Sequence, residues 1–233
     1  MKQSKQVFTL EQVMKLLKSN AQPDQIAAMA RFGLTGENRL GVSMPNLRKL
    51  GKSVGKNHGL ALKLWDTGIP DAMILAALIE NPAEVTESQA DRWVNCFAAW
   101  DVCDQVCSTV FDKVSFAEKK VYEWSRREEE FVKRAAYSLI AYIACHDKKS
   151  TDEKFIQYFG IIKSGSEDNR NYVKKAVSWA LRQIGKRNLR LNKLAIDCAK
   201  EIQKTECKGP RWVASDVLRE LTNEKILARM KNK

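Results

Sequence analysis

Two stretches of the chain, FVKRAAYSLIAYIACH at 131–146 and YVKKAVSWALRQIGKR at 172–187, begin with the same order of residue types. Phe131 answers Tyr172, Val132 answers Val173, Lys133 answers Lys174, Arg134 answers Lys175 and Ala135 answers Ala176, an offset of 41 residues. Helical spacing puts Val132, Ala135, Ala136, Leu139, Ile140 and Ile143 on one face, and Ala176, Val177, Ala180, Leu181 and Ile184 on its counterpart. A looser copy, PRWVASDVLREL at 210–221, has Leu218 and Arg219 answering Leu181 and Arg182, and DAMILAALIE at 71–80 reads as a further apolar helix. Any two amphipathic helices look alike, but the shared order favours true repeats. A period near 40 built from helix pairs is the mark of HEAT or armadillo stacking.

The rest of the chain agrees. Alternating β-branched runs bounded by turns are absent. The stretches NPAEVTES (81–88), HDKKSTDE (146–153) and SGSEDNR (164–170) read as short polar connections with helix N-cap residues, and no Pro- or Ser-rich linker divides the sequence. The expected fold is all-α: one right-handed α-solenoid of HEAT-like helix-pair repeats over residues 1–233, whose equivalent helices line a concave basic groove.

Charge indicates what such a groove would hold. Lysine and arginine number 40 against 28 aspartates and glutamates, a net charge of +12. Residues 170–233 hold 17 basic and 6 acidic side chains, whereas residues 1–169 are near balance. A solvated basic surface would account for this; a polyanion footprint is the sharper reading. Six cysteines form no CxxC pair, and His58 and His146 stand in no ligand-like spacing with them, so neither a metal nor another cofactor is expected. Reduced thiols fit a cytoplasmic protein. The N-terminal MKQSKQVFTLEQVMKLLKS lacks an apolar leader core, and no apolar run approaches the roughly 18 residues of a membrane span, so no membrane association is expected.

The stretch AAWDVCDQVC at 98–107 sets an indole and two carboxylates in an apolar run. Trp100 and Asp104 are four apart and share one side of a helix, while Val102, Val106 and Val110 take another. On the 172–187 helix the residues left outside the core face are Lys175, Trp179, Arg182 and Lys186, suited to phosphates and to a sugar or base. A tryptophan filling a gap between helices is the structural alternative. By the repeat alignment Arg134 takes the Lys175 position and Ser138 the Trp179 position, so Trp100, Asp104, Arg134, Trp179 and Arg182 would converge on one groove. A carboxylate there repels phosphate, so Asp104 should face something positive: a charged substrate, or Arg134 with no chemistry at all.

Other patterns are weaker. GKSVGK at 51–56 is not a phosphate loop, because Asn46 stands where the motif needs glycine. Asp101 suits a helix N-terminus. RREEE at 126–130 reads as a solvated helix start, and Trp212, Asp216 and Arg219 as a backbone-binding or packing echo of the Trp/Asp spacing.

These residues together resemble the DNA alkylation-repair (AlkD-like) glycosylases built from HEAT-like repeats. The resemblance runs from MARF (29–32) to the C-terminal helices, through GVSMPNLRKL (41–50), WDVCDQV (100–106), KRAA (133–136) and KKAVSWALR (174–182). It implies excision of N3- or N7-alkylated purines from duplex DNA without metal or nucleotide cofactor. It implies Asp104 as the catalytic aspartate, Trp100 and Trp179 as indoles flanking the lesion nucleotide, and Arg134 and Arg182 as DNA-contacting cations. Phe32 stands where some members have tyrosine and Ser43 where some have glutamine, so DNA contacts at these two positions are expected to differ. The expected partner is duplex DNA containing alkylated bases, bound by a monomer. The alternatives are a non-catalytic module for distorted or branched DNA, with Asp104 merely paired to Arg134, and a scaffold whose basic face holds an acidic protein.

Overall fold

The computed structural model describes residues 8–34, 36 and 38–231, and among them there is no strand. The first seven residues of the stretch read for a leader thus lie outside the described residues. No described helix is long and apolar enough to cross a membrane. Contacts divide the chain into two compact units, Met1–Val114 and Ser115–Lys233.

The first unit runs α1 (Leu10–Ser19), α2 (Pro23–Arg31), α3 (Met44–Val54), α4 (His58–Trp65), α5 (Pro70–Ile79), α6 (Glu87–Asn95) and α7 (Trp100–Thr109). Local chemistry sets the helix starts. Thr9 and Gln12 close a capping box ahead of α1, Asn57 caps α4 and Thr86 caps α6. Proline opens α2 and α5, where its missing N–H costs nothing. The apolar stretch anticipated at 71–80 is α5, buried on every side between α3, α4 and α7. Beside it Trp65 of α4 stacks flat on Trp93 of α6, with centroids 4.0 Å apart, and Phe97 meets Trp65 edge-on.

The second unit runs α8 (Ala117–Ser125), α9 (Glu130–His146), α10 (Asp152–Ile156), α11 (Tyr158–Gly165), α12 (Asn171–Gly185), α13 (Leu189–Gln203), α14 (Lys208–Leu221) and α15 (Glu224–Lys231). Here the repeat is visible directly: α9 packs on α12 and α12 on α14, with α8 and α13 as their outer partners. Every residue assigned to the two core faces is buried, and Phe131 rests against Tyr172 at 5.2 Å, equivalent residues on neighbouring rungs. Gly185 permits the close approach at the end of α12, since a Cβ there would collide with Leu221 of α14. Arg187 closes the end of α9 by donating to the carbonyls of Ala144 (2.7 Å) and Asp147 (2.6 Å). The RREEE run is the solvated helix start expected of it: residues 126–129 are exposed, Glu129 is the N-cap of α9, and the Glu128 carbonyl accepts from Arg170.

In the first unit one buried carboxylate fastens a loop to the core. Asp71 of α5, 1 % exposed, accepts the backbone N–H groups of Leu40 (2.8 Å) and Val42 (2.7 Å). Asp71→Ala leaves both donors without that acceptor, at a cost of about 2–4 kcal/mol. A lowered denaturation midpoint with faster amide exchange at Leu40 and Val42 is the expected result; unchanged protection of both amides would contradict the fastening.

Candidate functional site

Two groups of side chains matter, one in each unit. In the first unit they gather at the start of α7. Ala99 is the N-cap and offers no side-chain acceptor. Asp101 in the first turn supplies one, accepting the Val102 N–H at 2.9 Å. The same carboxylate takes both arms of Arg39, at 2.7 and 3.1 Å, and Arg39 is 5 % exposed. Asp101 is therefore the helix-terminal charge expected of it and also one half of a two-pronged ion pair.

Arg39 belongs to the loop that Asp71 fastens, so the loop is tied to α7 at one residue and to α5 at the next. Gly41 holds it close: its φ of +74° suits glycine, and a Cβ there would stand 2.6 Å from the Gln22 carbonyl oxygen. This brings Ser43 to the N-cap of α3, half-buried, with its hydroxyl making no capping bond. At the end of α2 the Phe32 carbonyl accepts the Trp100 indole N–H at 2.9 Å, while the Phe32 ring is 75 % exposed. Backbone thus sets how Trp100 is turned.

Asp104 lies one turn further along α7, half-buried like Trp100, while Val102, Cys103, Val106 and Cys107 are buried. The expected division of this helix into a core face and a Trp/Asp face is what the structure shows. Arg39 is the residue that the sequence conceals: 62 positions separate it from Asp101, and no helical periodicity links a loop arginine to a helix terminus.

In the second unit the outward side of α12 is less uniform than its sequence. Lys175 is exposed. Trp179 is half-buried, set edge-on to Tyr142 at 4.9 Å, and its N–H points at the Gln183 side-chain oxygen, 2.8 Å away when that amide is turned to receive it. Arg182 and Lys186 are not open to solvent partners as the stripe suggested: both pair with Glu220 of α14, Lys186 at 2.6 Å, and Arg182 also reaches Asp216 at 3.3 Å. Burial pushes the Glu220 carboxyl up, but hydrogen bonds from Lys186 and Arg182 outweigh it and hold the group below its ordinary value. Asp216 also accepts from Ser178 at 2.6 Å, so the Trp212/Asp216/Arg219 echo is in this respect a packing feature.

Arg134 departs from expectation as well. It is 7 % exposed and donates to the Tyr172 carbonyl at 2.8 Å, whereas Lys175 at the matching position is exposed. Ser138 is fully buried where Trp179 is not. The repeat fixes backbone position; packing against the next rung decides how far each side chain emerges. Among the described residues no group of three or more His, Cys, Asp or Glu side chains is placed to hold a metal ion.

Comparison with known proteins bears on the fold and the family of the chain. One solved structure, described as belonging to "a new family of proteins related to the HEAT-like repeat DNA glycosylases with affinity for branched DNA structures", superposes with a TM-score of 0.77 at 20 % identity, covering 92 % of this chain and 96 % of its own. It establishes the HEAT-like all-α fold. A designed armadillo repeat protein aligns over 92 % of this chain and 100 % of its own at 15 % identity, with a TM-score of 0.40. Among curated proteins, none matches. The family described as DNA alkylation repair enzyme matches residues 13–209. A match spanning that much of the sequence settles its membership: the chain belongs to the DNA alkylation repair enzyme family.

Proposed function

We propose that the protein is a DNA glycosylase that removes positively charged N3- or N7-alkylated purines from duplex DNA. The observation that carries this reading is the face of α7, where the Asp104 carboxylate lies one helical turn from an indole oriented by the Phe32 carbonyl. Alkylation at N7 or N3 gives the purine a formal positive charge. When its glycosidic bond breaks, the electron pair departs with the base and cancels that charge, so no strong general acid is needed. The sugar becomes oxocarbenium-like, which a nearby carboxylate stabilises. Water then adds at C1′ and gives up a proton, leaving free base and an abasic site. Indole faces favour cations, so Trp100 suits the charged lesion, and Trp179 supplies a second indole to the bound DNA. Lys175 meets phosphate, with Arg134, Arg182 and Lys186 as further backbone contacts and Phe32 and Ser43 adjusting the fit. The protein acts without metal or other cofactor, as a monomer in the cytoplasm.

A second reading, a binding module for branched DNA without catalysis, draws support from the stated affinity of the structural neighbour. The two part at Asp104. In the glycosylase, Asp104→Asn slows single-turnover release of 7-methylguanine by about 10²–10³ while duplex affinity holds or rises. Wild-type rates in that variant would remove Asp104 from the chemistry.

The ion pairs on α14 yield a separate expectation. If Arg182 and Lys186 exchange Glu220 for phosphate on binding, Glu220→Gln tightens duplex binding at low salt. The slope of log affinity against log salt then steepens by about one to two units. An unchanged slope would mean that neither cation reaches the DNA.

A further inference from the structure

Trp212 is the exposed tryptophan of the second unit, 40 % accessible on the first two turns of α14. An indole left in water is unusual for so large an apolar surface. Cations gather around it, and the acidic side chain one turn further along α14, Asp216, is already held by Ser178, Arg182 and Arg219. Lys208 and Arg211 are exposed on the same first turn of α14, Lys175 is exposed on α12, and the Lys174 ammonium sits over the Trp212 ring, 5.4 Å from its centroid. Among the described residues none of these four cations stands in an ion pair, in contrast to Arg182 and Lys186 on the same pair of helices. The N-terminus of α14 adds its own partial positive charge. The Trp/Asp echo in the sequence thus separates into two parts: Asp216 is spent on packing, and Trp212 is not.

We infer that Trp212 is a stacking platform for an unpaired nucleobase, with Lys174, Lys175, Lys208 and Arg211 holding the phosphates on either side of it. This rests on reading the chain as a DNA-binding protein and adds a site to it. The cations alone would track any strand. The indole makes the choice, because a base inside a duplex is covered on both faces by its neighbours, whereas a base in a single-stranded overhang, gap or branch offers a free face. Base–indole stacking is stronger than an exposed cation–π contact, so an arriving base displaces the Lys174 ammonium from the ring and releases it to a phosphate. Every base has such a face, so the site is tolerant of sequence.

Three labelled probes test this with the full chain: a blunt duplex, the same duplex with a single-stranded thymidine overhang, and the same duplex whose overhang carries abasic residues. The thymidine overhang is expected to bind about tenfold more tightly than the abasic one, which shares its phosphates. Trp212→Ala removes that advantage and leaves blunt-duplex affinity within about twofold, while Trp212→Phe keeps most of it. Thermal melting of both variants checks that they fold, and Phe serves as the control that keeps an aromatic face. Equal binding of the thymidine and abasic overhangs, or an equal loss on blunt and overhung duplex in Trp212→Ala, overturns the inference while leaving duplex binding intact. A Trp212→Ala variant that keeps the thymidine advantage overturns it as well. Failure of all three probes to bind would instead overturn the DNA-binding reading beneath it, and binding of an acidic peptide in their place would reassign the patch to a protein partner.

Discussion

The stacking of α9, α12 and α14 is the constraint on which the second unit depends. Each must bury a continuous apolar stripe against the next, and the stripes are rich in small residues (Ala135 and Ala136, Ala176 and Ala180, Ala214) that let the helices lie close. Once that packing fixes the phase of a helix, the remaining side chains are directed as well. Those at the margin reach the next rung 38 residues on: Arg134 to the Tyr172 carbonyl, Ser178 to Asp216, Arg182 to Glu220. Lys174 likewise reaches the Trp212 ring, but that indole stays 40 % exposed, and Lys175 is exposed as well.

The first unit is fastened by carboxylates instead. Asp71 and Asp101 hold one loop from two sides, and Glu80, fully buried at the end of α5, accepts from Asn81 N–H (2.6 Å) and Gln89 Nε2 (2.8 Å) and bonds His58 Nδ1 (2.9 Å). A buried carboxylate is costly unless such partners surround it, so these groups specify one loop conformation as well as stabilising it. The beneficiaries are Trp100 and Ser43, whose positions follow from backbone that cannot move without breaking several bonds together.

Much of the fold was legible because burial writes a period into the sequence. The core faces of 131–146 and 172–187, the buried helix at 71–80 and the two-sided character of 100–109 all follow from spacing alone. What was not legible depends on two helices at once. A helical wheel shows Lys175, Trp179, Arg182 and Lys186 as one stripe, but whether a cation on it is exposed depends on which residue α14 brings alongside, and α14 brings Glu220 to two of the four. Arg134 is the same case: its repeat position follows from the sequence, but packing against the next rung, where it donates to the Tyr172 carbonyl, leaves it 7 % exposed. The Arg39–Asp101 pair joins a loop to a helix end, where no periodicity exists to be read.

The central claim is that a carboxylate on α7 serves a reaction in which a charged purine leaves DNA. It is tested most directly by incubating the wild-type protein in excess over a duplex bearing one 7-methylguanine, with a chelator present throughout. The account predicts that free 7-methylguanine is released and that an alkali-labile abasic site remains in its place. A lesion duplex that is fully bound yet keeps its base over the same period would contradict the claim and leave the protein a DNA-binding module.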